Sequence, residues 1–340
     1  MMATMMVVLV LSAVAMLLIG PRVLPVLRKL KFGQTIYELG PKSHQTKQGT
    51  PTMGGLMFIA VSCAVTALAM LWRPGEFAGG WDFGLAVIAV SLASMLIGFV
   101  DDFIKVVKKR NLGLIWWQKI IGQVAVAVGF SLYCYFSPYV GSSILIPFFH
   151  TEWDLGVFYV PLMTLFMIFM INSANLQDGL DGLLSTVTVI SSTTWGLLAL
   201  FASMAAGTAL TGGMTANYEH LAFFAMALTG GCLGFLRFNH YPALVFMGDT
   251  GSMFIGGAMV GMAMLMRMPI YMALVCFTLI MSSLSVIIQR IYFKVTHGKR
   301  IFKMSPIHHH FELCGMTEKQ IVAMYAGVIG VLCAITLLFA

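Results

Sequence analysis

Thr4-Met5-Met6-Val7-Val8-Leu9-Val10-Leu11-Ser12-Ala13-Val14-Ala15-Met16-Leu17-Leu18-Ile19-Gly20-Pro21-Arg22 begins with an apolar run that a cation closes. A helix needs about 20 such residues to cross a hydrocarbon core. No basic residue precedes the run, and Arg22 and Arg28 follow it. That order is the reverse of a cleavable signal peptide, so the run reads as a retained first span over residues 4–24. Nine more segments of this kind follow, at 53–72, 83–100, 119–136, 157–174, 183–203, 220–236, 251–267, 269–288 and 321–340. Only Arg267-Met268-Pro269 parts the eighth from the ninth, a break that proline enforces. The chain is 59% hydrophobic and 10% charged over 340 residues, against about 25% charged in an ordinary globular protein. A soluble fold, a disordered chain, a secreted disulfide scaffold and a nucleic-acid-binding domain are excluded. Six cysteines show no CxxC spacing and mostly lie in apolar runs, where they serve as small packing residues. The expected fold is an all-α polytopic membrane protein with about ten transmembrane helices, residues 1–340 forming a single integral membrane domain.

The net charge of +7 is unevenly placed. With Arg73 and Arg267 assigned to one face, the other eighteen Lys and Arg fall on the opposite face, leaving loop charges of −3 and +10. By the positive-inside rule the basic face is cytoplasmic. An even number of spans then puts both termini on the periplasmic side. The outer loops are short, and residues 144–158 suit a small β-hairpin. The longest extramembrane stretch, about 289–320, is too short for a core of its own.

Nearly all the residues that bilayer physics leaves unexplained lie in the cytoplasmic loops. Ionisable groups beside hydrocarbon are costly and need a reason. Lys47-Gln48-Gly49-Thr50-Pro51-Thr52-Met53-Gly54-Gly55 opens the second span. Thr50 and Pro51 suit ordinary helix capping, and Gly54-Gly55 a close helix contact; the functional alternative is an anion site with Lys47 beside it. Gly98-Phe99-Val100-Asp101-Asp102-Phe103-Ile104-Lys105 puts two carboxylates at the unfavourable end of the third span's dipole. A salt bridge to Lys105 or Lys108 would be the structural explanation, a divalent cation or proton transfer the functional one. Asn172 to Gly182 holds Asn175, Asp178 and Asp181, more polar groups than a tight Asp-Gly turn requires. Arg237-Phe238-Asn239-His240-Tyr241-Pro242 leads to Phe246-Met247-Gly248-Asp249-Thr250-Gly251-Ser252, where Asp249 would otherwise be only a helix cap. Ser305-Pro306-Ile307-His308-His309-His310-Phe311-Glu312 carries three consecutive histidines. Adjacent residues cannot comfortably ligate one tetrahedral zinc, and Cys314 adds little support; imidazoles donating to phosphates are the simpler reading.

Five Asp, three His, Asn and Lys thus gather on one membrane face. Carboxylates do not attract phosphate directly, but they hold Mg²⁺, which does. Lys, His and helix N-termini neutralise the remaining charge. The constellation suits phosphoryl transfer at a membrane surface.

In these motifs the sequence closely resembles the phospho-N-acetylmuramoyl-pentapeptide transferases, within the polyprenyl-phosphate N-acetylhexosamine-1-phosphate transferases. The Gly49–Gly55 stretch, the Asp101-Asp102 pair and the Asn175–Gly182 loop look like superfamily signatures, and Pro306-x-His308-His309-His310-x-Glu312 looks specific to the muramoyl-pentapeptide branch. The resemblance implies ten transmembrane helices in the bacterial inner membrane, a homodimer and Mg²⁺ dependence. It also implies UDP-N-acetylmuramoyl-pentapeptide and undecaprenyl phosphate as substrates, with lipid I and UMP as products. By motif, Asp249 would bind Mg²⁺, Asp101 and Asp102 would form the catalytic pair, and His308 would join them. Asn175, Asp178 and Asp181 would line the nucleotide pocket with Lys47 and Thr52 nearby. Phe246 would stack on uracil, Asn239 would contact the nucleotide, and His308 and His309 the phosphates. Gln289, Lys105 and Lys119 complete the expected substrate site. A sister N-acetylglucosamine-1-phosphate transferase is the nearer alternative. A secondary transporter is the more distant one, but its ionisable residues should sit at mid-membrane. Ile288, Ile291, Tyr292 and Val295 form an apolar face that continues the ninth span, suiting an interfacial helix or part of an isoprenoid groove.

Overall fold

A computed structural model describes residues 1–29, 49–73, 82–108, 112–149, 151–208 and 212–339. Among them, nine helices are long and apolar enough to cross a membrane. These are α1 (Met2–Lys29), α2 (Gly55–Trp72), α3 (Phe83–Val107), α4 (Trp116–Phe136), α5 (Tyr159–Gln177), α6 (Leu183–Thr208), α7 (Gly212–Asn239), α10 (Phe277–Val295) and α12 (Glu318–Phe339). The eighth expected span forms α8 (Gly248–Leu265), flanked by the short α9 (Met272–Val275), while α11 (Ile307–Leu313) carries the histidines. The Gly-Asp-Thr-Gly-Ser opening of α8 lowers its hydropathy, yet every residue from Thr250 to Leu265 is buried inside the protein. This helix is the pillar of the bundle, with α3, α5, α2 and α6 packed around it.

Several boundaries differ from the expectation, and three of them matter most. The third span runs seven residues further, to Val107, so Asp101, Asp102 and Lys105 share one helix face rather than following its end. The ninth span does not run unbroken through 269–288: a single 3₁₀ turn at Pro269–Tyr271 and α9 precede a break at Cys276, and α10 starts at Phe277. The seventh is longer than its apolar segment, because Gly212–Glu219 and Arg237–Asn239 extend it at either end. The expected hairpin is present as β1 (Ser143–Ile146) paired antiparallel with β2 (Thr151–Asp154). The helical continuation through residue 295 is also present, with Ile288, Ile291, Tyr292 and Val295 exposed.

The two ends of the bundle carry different polar chemistry. At the hairpin end, Arg267 pairs with Glu152 and accepts the Leu145 amide at 2.7 Å. His220 Nδ1 lies 2.6 Å from Asp82 Oδ2, and its Nε2 lies 3.1 Å from the Arg73 carbonyl oxygen. Arg73 and Arg267, the two basic residues set apart by the charge partition, therefore belong to this end. The motifs at 51–55, 98–105, 175–182, 239–252 and 305–312 converge at the other.

Candidate active site

The site is assembled on the first turn of α8. Residues 245–247 lie against 51–55 in a strand-like register: Phe246 N–H donates to Pro51 O at 2.8 Å, Gly54 N–H to Phe246 O at 2.9 Å, and Gly55 N–H to Met247 O at 3.1 Å. Gly55 permits this approach, since a Cβ there would overlap the Gly251 backbone. The Gly54-Gly55 pair is thus a close helix contact. On the opposite side, Gly98 of α3 packs so tightly that a Cβ would overlap the Asp249 carbonyl. The first turn of α8, with Asp249 in it, is thus held between glycines of α2 and α3.

One oxygen each from Asp101, Asp102 and Asp249 lies within 4.8 Å of the others. The Lys105 Nζ sits among them, 2.6 Å from Asp101 Oδ2, 3.2 Å from Asp249 Oδ2 and 3.7 Å from Asp102 Oδ1. The Lys119 Nζ, brought in from α4, lies 2.6 Å from Asp249 Oδ2 and 3.3 Å from Asp101 Oδ2. Burying three carboxylates this closely is unfavourable without compensating cations and donors. The lysines supply two cations. The Leu114 amide donates to Asp101 Oδ1 at 2.8 Å, and the Thr250 amide and hydroxyl both donate to Asp102 Oδ2, at 2.9 and 2.7 Å. The Asp pair therefore has the structural salt bridge to Lys105, but that bridge is one element of a larger charged cluster. Its donor set is oxygen only and carboxylate-rich, which suits a hard cation such as Mg²⁺.

Asn175 joins the cluster from α5, donating through Nδ2 to Asp249 Oδ1 at 2.9 Å and to Ser252 Oγ at 3.0 Å. Asp178 follows at the C-terminal end of α5. Its enclosure there, reinforced by the negative charges of Asp249, Asp102 and Asp181, holds its carboxyl well above the usual carboxylate range. Thr52 is buried beside Gly248, where a Cβ would sit 2.8 Å from its Oγ1. The α11 helix covers the Asp178–Gly182 loop: a Cβ on Gly179 would overlap His308 Nε2 and lie 3.2 Å from His309 Nε2.

Several expected site residues have structural partners that sequence reasoning did not foresee. The Asp181 carboxylate accepts the Ala243 amide at 2.9 Å, while its own amide donates to Glu318 Oε2 at 3.1 Å. Asn239 is buried, accepting from Ser185 Oγ at 2.8 Å and donating to Val245 O at 3.0 Å. Gln289 bonds the backbone of Ile301 and Phe302 through both its oxygen and its nitrogen. Phe246 is half-buried and its backbone ties the 51–55 segment. The three histidines diverge: His308 is buried, His309 Nδ1 lies 2.6 Å from Glu312 Oε2, and His310 Nδ1 accepts the Lys303 amide at 3.1 Å. Lys47 lies outside the described residues. Thr250, Ser252 and the Leu114 amide were missed. Thr250 and Ser252 had a signal in the run of short polar residues flanking Asp249, whereas the amide has no side-chain signature.

Comparison with known proteins bears directly on this geometry. The profile of glycosyl transferase family 4 matches residues 84–267, and the phospho-N-acetylmuramoyl-pentapeptide-transferase signature 1 matches residues 47–59. The phospho-N-acetylmuramoyl-pentapeptide-transferase of Clostridium botulinum (strain Eklund 17B / Type B) is 42% identical over 331 residues, covering 96% of this chain and 95% of its own length. The corresponding protein of Acetivibrio thermocellus is 44% identical over 328 residues, covering 96% and 92%. That of Heliobacterium modesticaldum is 44% identical over 331 residues, covering 95% of each chain. The chain belongs to this transferase family. The family 4 match spans all three clustered carboxylates and both lysines, and the signature spans the Pro51–Gly55 segment that pairs with the start of α8.

Proposed function

We propose that this membrane transferase moves phospho-N-acetylmuramoyl-pentapeptide from its UDP carrier to undecaprenyl phosphate, releasing UMP and forming lipid I. The observation that carries this reading is the approach of Asp101, Asp102 and Asp249 to within 4.8 Å, with two lysine ammoniums among them. Asp249, with Asp101 and Asp102 beside it, would hold Mg²⁺. When bound, the ion neutralises diphosphate charge and favours the developing charge of the transition state.

The remaining groups define what the chain itself does. Lys105 and Lys119 offer cations to the donor diphosphate once the carboxylates have another counterion. Asn175 fixes the orientation of Asp249 through its Oδ1. His308 and His309, against the Asp178–Gly182 loop, donate to donor phosphates, and Thr52, Asp178, Asp181, Asn239, Phe246 and Gln289 shape the nucleotide side, with Lys47 nearby. A phosphate monoester has a second pKa of about 6 and is largely dianionic at neutral pH. Asp101 or Asp102 therefore has little proton to remove, and orientation and charge neutralisation carry most of the rate. An acceptor oxygen bonds to the β-phosphorus of the donor as the bond to UMP breaks, leaving one pyrophosphate linkage in place of another. Excess UMP should drive the reaction backward.

In this reading α8 is a tenth membrane-embedded helix, both termini are periplasmic, and the site faces the cytoplasm of a bacterial inner membrane. The protein works as a homodimer. The test is UMP release from UDP-N-acetylmuramoyl-pentapeptide and from UDP-N-acetylglucosamine, each with undecaprenyl phosphate, with and without Mg²⁺. Release only from the first donor and only with Mg²⁺ is expected. Release from UDP-N-acetylglucosamine instead would identify the sister activity.

A further inference from the structure

We infer that Thr250 is a positioning residue for this reaction, orienting the Asp102 carboxylate so that only Oδ1 faces the cation-binding cluster. The inference rests on the Mg²⁺-dependent reading above and extends it to a residue outside the carboxylate set. Thr250 is fully buried in the first turn of α8, adjacent in sequence to Asp249. Amides in the first turn of a helix have no acceptor within the helix. The Thr250 amide uses Asp102 Oδ2 of α3 at 2.9 Å, and its hydroxyl adds a second bond to the same oxygen at 2.7 Å.

Two donors on one oxygen fix the plane of the carboxylate as well as its distance. The other oxygen, Oδ1, faces the Lys105 ammonium at 3.7 Å. Space around the fixed oxygen is restricted, because a Cβ on Gly248 would lie 2.5 Å from Asp102 Oδ2. Gly248 itself has φ +72°, a conformation that disfavours a side chain there. The backbone turn that starts α8 therefore leaves room for Asp102 and aims Thr250 at it. A residue pinned this way costs less reorganisation when a cation or a charged transition state forms beside it. Asp249 and Asp102 come from different helices, and Thr250 is the covalent neighbour of one and the hydrogen-bond partner of the other. Hydrogen bonds to a charged group are stronger than neutral ones, so the hydroxyl is the part of Thr250 to remove selectively.

The test uses the purified full-length enzyme in detergent with three substitutions: Thr250→Val, which keeps shape and amide but removes the hydroxyl; Thr250→Ser, which restores it; and Thr250→Ala, which relaxes packing. Mn²⁺ binding is followed by electron paramagnetic resonance, alongside kcat and the donor KM. Thr250→Val and Thr250→Ala should each weaken Mn²⁺ binding about tenfold and lower kcat about tenfold, the scale of one charge-assisted hydrogen bond, with donor KM little changed. Thr250→Ser should recover both. Wild-type Mn²⁺ affinity and kcat in Thr250→Val would overturn the inference, as would equal impairment of Thr250→Val and Thr250→Ser, which would assign the effect to packing. If the unsubstituted enzyme bound no Mn²⁺ at the cluster, the metal reading would fall first and this inference with it.

Discussion

The Lys119 ammonium of α4 lies 2.6 Å from Asp249 Oδ2 of α8, and the same nitrogen is 3.3 Å from Asp101 of α3. One cation thus ties three helices at the point where three carboxylates meet. Lys105 makes the equivalent contacts from within α3. Among the described residues, removing either lysine leaves three clustered carboxylates with a single opposing cation.

Lys119→Met should therefore destabilise the metal-free protein, because an uncompensated charge in a partly buried cluster costs on the order of 3 kcal/mol. Added Mg²⁺ should raise the melting temperature of Lys119→Met more than that of the wild type. Thermal unfolding with EDTA and with Mg²⁺ reads this difference directly. Turnover should fall about a hundredfold even at saturating Mg²⁺, since the proposed function also gives the lysine to the donor phosphates. An equal Mg²⁺ response in both proteins would mean that Lys119 does not balance the cluster.

Gly98→Ala places a methyl group on the Asp249 carbonyl. Overpacking of this kind costs about 1–3 kcal/mol, and the displacement of Asp249 should reduce turnover about a hundredfold. Gly129→Ala on α4 is the control, because nothing lies within 4 Å of a Cβ there. Its activity and stability should match or slightly exceed the wild type. Parallel assays of the two variants separate a helix-contact effect from a general intolerance of glycine replacement.

Asp178 offers a pH test. Its carboxyl titrates above the usual range in the folded protein because of its enclosure and the neighbouring Asp249, Asp102 and Asp181. The folded state therefore binds the proton more tightly than the unfolded state, whose Asp pKa is about 3.9. That stabilising contribution is present at low pH and is lost as pH rises through the folded pKa. Asp178→Asn removes the loss. In EDTA, the variant should melt above the wild type at alkaline pH, with the difference shrinking toward pH ~2, below both pKa values, where Asp178 is protonated in both states. A constant difference at every pH would exclude this charge effect.

Gln289 separates a scaffold role from a ligand role. It bonds the backbone of Ile301 and Phe302, ahead of the histidine helix. Gln289→Ala should open this segment, increasing tryptic cleavage at Lys299, Arg300 and Lys303, and lower kcat as His308 and His309 lose their placement. If the residue served only the nucleotide, donor KM would rise while the protease pattern stayed unchanged.

Apolar length made most of the helices legible from sequence alone, and the charge partition separated Arg73 and Arg267 from the other cations. The Asp101, Asp102 and Asp249 cluster was legible because buried carboxylates at span ends have few structural explanations. The break at Cys276 was not, since neither glycine nor proline occupies that position. The internal bonds of Asn239, Asp181 and Gln289 were also hidden, because an amide or carboxylate satisfied by backbone looks the same in sequence as one waiting for a ligand. Lys105 and Lys119 were identifiable as cations near the motifs, but their convergence on Asp249 depends on how α3, α4 and α8 pack.

The proposed function requires that Asp249, with Asp101 and Asp102 beside it, holds a divalent cation. Electron paramagnetic resonance of Mn²⁺ added to the detergent-purified protein measures this without any substrate. One ion per chain is expected in the wild type, with binding lost in Asp249→Asn and weakened in Asp101→Asn and Asp102→Asn. Wild-type affinity and stoichiometry in Asp249→Asn would contradict the claim.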